Sequence, residues 1–208
     1  MNRKRALNNL TLLALVPAVL LLGCSEGTSP DVARASEDLN FLRPDRAAPP
    51  LADTVVSFWA KRGEDREVRM RYQPLPGSGD MAEFLRLSVP AAALERRPDG
   101  SAFAAGDSVL ITVRVVDPVR MLVEFQPSGL RFSSTNPARL RLDYGEADHD
   151  IDGDGDVDDR DLALESRLAI WRQEAPGQLW YKVASVVVED LDEVEADILG
   201  FTGYAIAY

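Results

Sequence analysis

From residue 54 to the last residue, apolar side chains come in short runs, with turn signals roughly every 8–12 residues, the pattern of an all-β fold. The runs predict strands at Thr54–Ala60, Arg66–Gln73, Glu83–Val89, Ser108–Val115, Arg120–Phe125, Leu140–Asp143, Leu168–Arg172, Leu179–Val188, Val194–Ile198 and Gly203–Tyr208. Breaks such as Arg62-Gly63-Glu64-Asp65, Pro98-Asp99-Gly100 and Ala175-Pro176-Gly177 separate them. In Ser108–Val115 the residues Val109, Ile111, Val113 and Val115 alternate with Ser108, Leu110, Thr112 and Arg114, as on a strand buried along one face. The last strand sets Tyr204, Ile206 and Tyr208 against the small Ala205 and Ala207. There is no internal repeat and no heptad. About 155 residues suffice for one core, and two packed antiparallel sheets are the simplest way to build it. The expected fold class is therefore an all-β, two-sheet antiparallel β-sandwich over residues 54–208.

One connection departs from this pattern. Asp150 to Asp161 reads Asp-Ile-Asp-Gly-Asp-Gly-Asp-Val-Asp-Asp-Arg-Asp. Hard cations such as Ca²⁺ take six to eight oxygen ligands, and alternating aspartates around a tight turn can supply them. Counted from Asp150, side-chain ligands fall at Asp150, Asp152 and Asp154, with Gly155 at the sharp turn. Asp156 offers its backbone carbonyl, Asp158 a contact through water, and Asp161 the closing carboxylate. Val157 is expected to pin the loop to the fold behind it. A register starting at Asp148 would put Gly155 where that apolar anchor belongs, so the Asp150 register is preferred. Asp159 to Arg167 is expected to form two helical turns after the loop. The loop is thus an insertion between strands, and Ca²⁺ is the expected ligand. Sensor proteins pair such loops between helices that swing open; with a single loop, a structural role for the ion is expected.

Charge supports the same reading. Between Asp143 and Asp161 ten carboxylates face one arginine, a net −9 in a chain whose formal charge is −11. Repulsion among them favours a bound cation. Cys24 is the only cysteine and His149 the only histidine, so disulfides, thiolate metal centres and histidine-rich zinc sites are excluded. A Ser-His-Asp or Cys-His system would have to use His149, which sits between two aspartates. The chain is therefore expected not to be an enzyme, a hydrolase working through paired carboxylates being the alternative. No basic, aromatic-interleaved stretch points to nucleic acid.

At the beginning of the chain, Arg3, Lys4 and Arg5 precede an apolar run, Leu10–Leu22, too short for an ordinary membrane span. Residues 1–23 are therefore read as a signal peptide. The run closes on Leu21-Leu22-Gly23-Cys24, which resembles the lipobox of bacterial lipoproteins. That resemblance implies cleavage before Cys24, a diacylglycerol on its thiol, and an anchored rather than spanning protein. Ser25 in place of an aspartate implies sorting to the outer membrane of the cell envelope. Residues 24–53 are rich in Ser, Pro, Ala and charge and are expected to form a flexible tether, with Asn40-Phe41-Leu42 as a cluster able to dock.

The strand succession also resembles the ZU-type β-sandwich of ankyrins, netrin receptors and bacterial envelope proteins. Leu85-Arg86-Leu87-Ser88-Val89-Pro90 matches its strand-then-proline step. Phe125-Gln126-Pro127-Ser128-Gly129-Leu130-Arg131-Phe132 and Pro137-Ala138-Arg139-Leu140-Arg141-Leu142 are its most specific matches, within a likeness covering about residues 83–208. One branch of that family cleaves itself at a His-Phe-Ser step; Gly200-Phe201-Thr202 stands here without the histidine. Asp161 as the closing residue, followed by Leu162-Ala163-Leu164, resembles a dockerin loop and its helix. The expectation is a lipid-anchored, calcium-binding scaffold or binding module for a protein or glycan partner, its oligomeric state left open. A dockerin-like module docking on a cohesin is the alternative.

Overall fold

A computed structural model describes residues 33–75, 77, 79 and 81–208. The signal segment, Cys24 and the first part of the expected tether lie outside the described residues. In chain order the strands are β1 (Ala33–Arg34), β2 (Val55–Lys61), β3 (Arg66–Arg71), β4 (Glu83–Val89), β5 (Leu94–Arg96), β6 (Ser108–Asp117) and β7 (Leu122–Gln126). They continue with β8 (Arg131–Phe132), β9 (Ala138–Asp143), β10 (Ala169–Gln173), β11 (Trp180–Lys182), β12 (Ser185–Val188), β13 (Glu193–Ile198) and β14 (Gly203–Ala207). One α-helix, α1 (Asp159–Glu165), lies between β9 and β10. All pairings are antiparallel: a seven-stranded sheet in the order β1-β11-β10-β14-β7-β6-β2, a five-stranded sheet β12-β13-β9-β4-β3, and the small pair β5-β8. The expected all-β sandwich is what the chain forms.

Period-two alternation decides which side chains face inward. In β6, Ile111, Val113 and Val115 are buried while Leu110 and Arg114 face solvent. In β9, Ala138, Leu140 and Leu142 go in and Arg139 is exposed. These faces meet Phe58, Leu85, Leu87, Val123, Ile170 and Val194 in one continuous core. Phe201 lies in that core, stacked on Phe125 at 5.1 Å between ring centroids.

Two expectations need correction. Leu179–Val188 is not one strand. The chain leaves the larger sheet after Lys182 and enters the smaller one at Ser185, turning the corner at Val183-Ala184. The Val183 N–H still donates to the Ile170 carbonyl (2.9 Å), and the Ser185 hydroxyl accepts from the Ile170 N–H (3.2 Å). Sandwiches commonly turn such corners by passing a strand between sheets, and no glycine or proline marks this one, only Lys182 and Ser185 on either side of it.

The second correction concerns the tether. From Ala33 onward it is part of the domain. β1 pairs with β11, Phe41 bridges Ala207, and Leu42 N–H donates to the Ile206 carbonyl at 3.0 Å. The cause lies in β14, whose small residues Ala205 and Ala207 face a second core of Ala169, Trp171 and Trp180. Leu39 and Phe41 close over it. The Trp180 indole donates to Ser36 Oγ (2.9 Å), and its ring meets Phe41 edge-on at 5.1 Å. Covering a large apolar side chain is worth about 1.5–3 kcal/mol, enough to draw a proline-rich segment down onto the sheet.

Trp180→Ala should therefore lower the unfolding free energy by about 3–5 kcal/mol in urea titration and expose the segment around Phe41 to protease. A loss below about 1 kcal/mol would show that this second core contributes little packing.

Candidate metal centre

The β9–β10 connection holds its shape through its own carboxylates. Asp148 Oδ1 accepts from the Asp150 N–H (3.2 Å), Asp152 Oδ1 from Asp154 N–H (3.1 Å), and Asp154 Oδ1 from Asp156 N–H (3.1 Å). Asp150 spans the turn, accepting from Gly153 N–H and Gly155 N–H, both at 2.9 Å. Gly153 and Gly155 have φ of +77° and +100°, backbone that a side chain would strain. The loop thus bends its aspartates toward one another, and ligand atoms of Asp150, Asp152 and Asp154 lie within 4.8 Å of each other. A carboxylate oxygen carries two lone pairs, so one that accepts a single N–H can still bind a cation. These three residues could hold a metal ion.

The other expected ligands are occupied differently. Asp161 is buried. Its Oδ1 accepts from Ile151 N–H (2.7 Å) and Asp152 N–H (3.1 Å), and its Oδ2 from Asp158 N–H (2.9 Å). Those donors, Asp158 first, hold its carboxyl below the ordinary aspartate range. Asp158 caps α1, its Oδ1 accepting from the Arg160 N–H at 2.7 Å, and with Asp161 it forms a reciprocal capping box. Asp156 is exposed. Arg160 is the loop's one cation, its guanidinium 3.5 Å from Asp154 Oδ2 on the surface; such a contact is worth about 0–1 kcal/mol and an ion can displace it.

Val157 does not pin the loop: it is 66% exposed. The anchor is instead Ile151, half-buried against the main core, whose carbonyl accepts from the Tyr208 hydroxyl at 3.0 Å. Tyr144 secures the far end, its hydroxyl donating to Glu165 Oε1 at 2.7 Å. The formerly expected tether adds two backbone bonds at the loop's entrance, Asp148 N–H to the Arg43 carbonyl (2.8 Å) and Asp45 N–H to the Glu146 carbonyl (2.9 Å). An apolar residue between two aspartates was the signal for Ile151; nothing local marked Tyr208.

Asp143, at the start of the acidic stretch, has a different environment. It is half-buried opposite Glu193 across the β9–β13 ladder. Burial, and then the carboxylates of Glu193, Glu83 and Asp192, push it up to about 7 against the Gly145 N–H that favours its ionised form. The folded protein keeps a proton that the unfolded chain releases near the ordinary aspartate pKa of about 3.9. Folded protein therefore binds more protons in between, and stability falls as pH rises from about 4 to about 7.

Asp143→Asn should flatten that limb and raise the melting temperature at mildly alkaline pH; a wild-type melting temperature constant across the window would contradict the assignment. Asp161→Ala should lower the melting temperature with or without divalent metal, because three N–H donors lose their acceptor. Asp150→Ala frees two N–H groups that lie exposed, where water can replace the carboxylate, and should lose mainly the metal-dependent increment. Equal behaviour of the two variants in chelator would show that Asp161 is not what shapes the loop.

Among the described residues no helix is long and apolar enough to cross a membrane. No family model matches this chain, and no curated protein or solved structure matches it closely.

Proposed function

We propose that this chain is a lipid-anchored envelope protein whose β-sandwich, stiffened by one structural Ca²⁺, presents a non-catalytic binding or scaffolding surface to a protein or glycan. The observation that carries the metal part is the convergence of Asp150, Asp152 and Asp154 on a loop already bent by its own hydrogen bonds. Oxygen-only donors of that charge suit Ca²⁺ better than a transition metal. Asp150, Asp152 and Asp154 would bind by side chain, Asp156 by its carbonyl, Asp158 through water, and Asp161 by the carboxylate that now gathers three N–H groups. The anchor rests on Arg3-Lys4-Arg5, the apolar run and Cys24, and the ZU-type family reading on the segments between Leu85 and Ala205. The dockerin-like alternative would call for two loops with following helices; among the described residues there is one such loop and one α-helix.

A single loop of this kind outside the cytosol binds at about 10⁻⁴–10⁻³ M. At free Ca²⁺ about tenfold above Kd, it stabilises the fold by about 1.4 kcal/mol. Calorimetric titration of residues 25–208 with Ca²⁺ and Mg²⁺ tests this. Binding heat should appear with Ca²⁺ and vanish in Asp150→Ala and Asp154→Ala, while circular dichroism stays β-type. A melting temperature identical in chelator and in millimolar Ca²⁺, with no ion retained, would overturn the metal reading.

A further inference from the structure

The two main sheets have four edges, and three of them are protected. β1 is two residues long. β12 is four residues long. β3 carries Arg66, Glu67, Arg69 and Arg71 and a bulge at Met70/Arg71, and residues 50–52 cover its end, with Ala52 N–H donating to the Arg71 carbonyl at 2.9 Å. Short length, charge, bulges and covering segments are the devices that stop edges pairing with other chains. Among the described residues β2 has none of them: it is seven residues, Val-Val-Ser-Phe-Trp-Ala-Lys, with no bulge, no proline and one charge, at its end.

Its hydrogen-bonding phase is fixed at both ends. Val115 N–H donates to the Thr54 carbonyl and Arg62 N–H to the Asp107 carbonyl. In an antiparallel ladder bonded pairs recur every second residue, so Val56, Phe58 and Ala60 point their polar groups at β6. Val55, Ser57, Trp59 and Lys61 point theirs away from the sheet, the Lys61 carbonyl already accepting from the Glu64 N–H of its own turn at 3.1 Å with one lone pair left over. The side chains of the same four residues face solvent, Trp59 at 62% and Val55 at 45% exposed, with Leu110 beside Trp59 at 45%.

We propose that β2 is a self-association edge, at which a second copy of this chain pairs antiparallel about a two-fold axis at Phe58. In that register Ser57 faces Trp59 of the second copy and Val55 faces its Lys61, so all four outward residues form bonded pairs. Charge is compatible as well: Lys61, which meets Glu64 of its own chain at 2.6 Å on the surface, would also have the second copy's exposed Asp53 beside it, and a surface ion pair of this kind is readily shared. The surface is self-complementary, as an isologous dimer requires. The two seven-stranded sheets become one, and Trp59 packs beside its two-fold mate. This surface is separate from the acidic loop, so pairing is independent of metal.

Sedimentation of the purified full chain over micromolar to submillimolar concentration tests the assignment, with and without chelator. A monomer–dimer equilibrium insensitive to chelator is expected. Ser57→Pro deletes an N–H that the β2–β6 backbone ladder does not use, together with the exposed Ser57–Thr112 hydroxyl contact (2.8 Å), and should weaken the dimer at least about tenfold. Trp59→Glu brings like charges together across the axis and removes apolar area without touching the core, so it separates loss of pairing from loss of folding. A chain monomeric throughout overturns the proposal, as does a dimer that persists in Trp59→Glu.

Discussion

β14 is buried on both faces, and much of the molecule follows from that. Toward the sandwich, Tyr204 and Ile206 complete the main core; on the other side, Ala205 and Ala207 leave room for Trp171 and Trp180. The buried Trp171 indole donates to the Ala207 carbonyl at 3.0 Å. A sheet exposing two tryptophans to water would be poor, so residues 33–42 must lie over it. Once there, the segment continues through Arg43 and Asp45 to bond the entrance of the acidic loop. The residue after β14, Tyr208, bonds the same loop at Ile151. The placement of the metal-ligand candidates thus depends on a strand that contributes no ligand.

Within the loop, the carboxylates serve two purposes. Most shape the backbone: each accepts an N–H a few residues away, and Asp161 gathers donors from Ile151, Asp152 and Asp158 into one node. This arrangement reduces the conformational entropy an ion would otherwise have to overcome. It also lets the loop keep its bend before any ion arrives. Asp143 belongs to a different environment, at the end of the smaller sheet, where burial first and neighbouring carboxylates after it favour its protonated form.

The strands were legible because burial on one face writes a period of two into the sequence; Ser108–Val115 and Glu83–Val89 show it directly. The helix after the loop was legible from Asp161-Leu162-Ala163-Leu164, the start of a dockerin-like helix, while the Asp158–Asp161 capping box that caps it came from the structure. Three things were not. The two-residue strands β1 and β8 are too short to carry a period. The corner at Val183-Ala184 carries no glycine or proline, and apolar residues continue beyond Lys182 and Ser185 because both of its arms are partly buried in different layers. Docking of residues 33–53 depends on tryptophans more than a hundred positions away, and proline-rich composition alone reads as a spacer. At the loop, the aspartates were legible by type and spacing, while the anchor at Ile151 rather than Val157 depended on which end of the loop faces the core.

The corner at Val183-Ala184 has a mechanical meaning. A chain that leaves one layer and enters the other within two residues rivets the layers together, and Ile170, bonded by its carbonyl and its N–H to the two sides of the corner, is the rivet's head. The layers cannot slide or part without breaking it. Load applied to one layer is therefore carried into the other at this point.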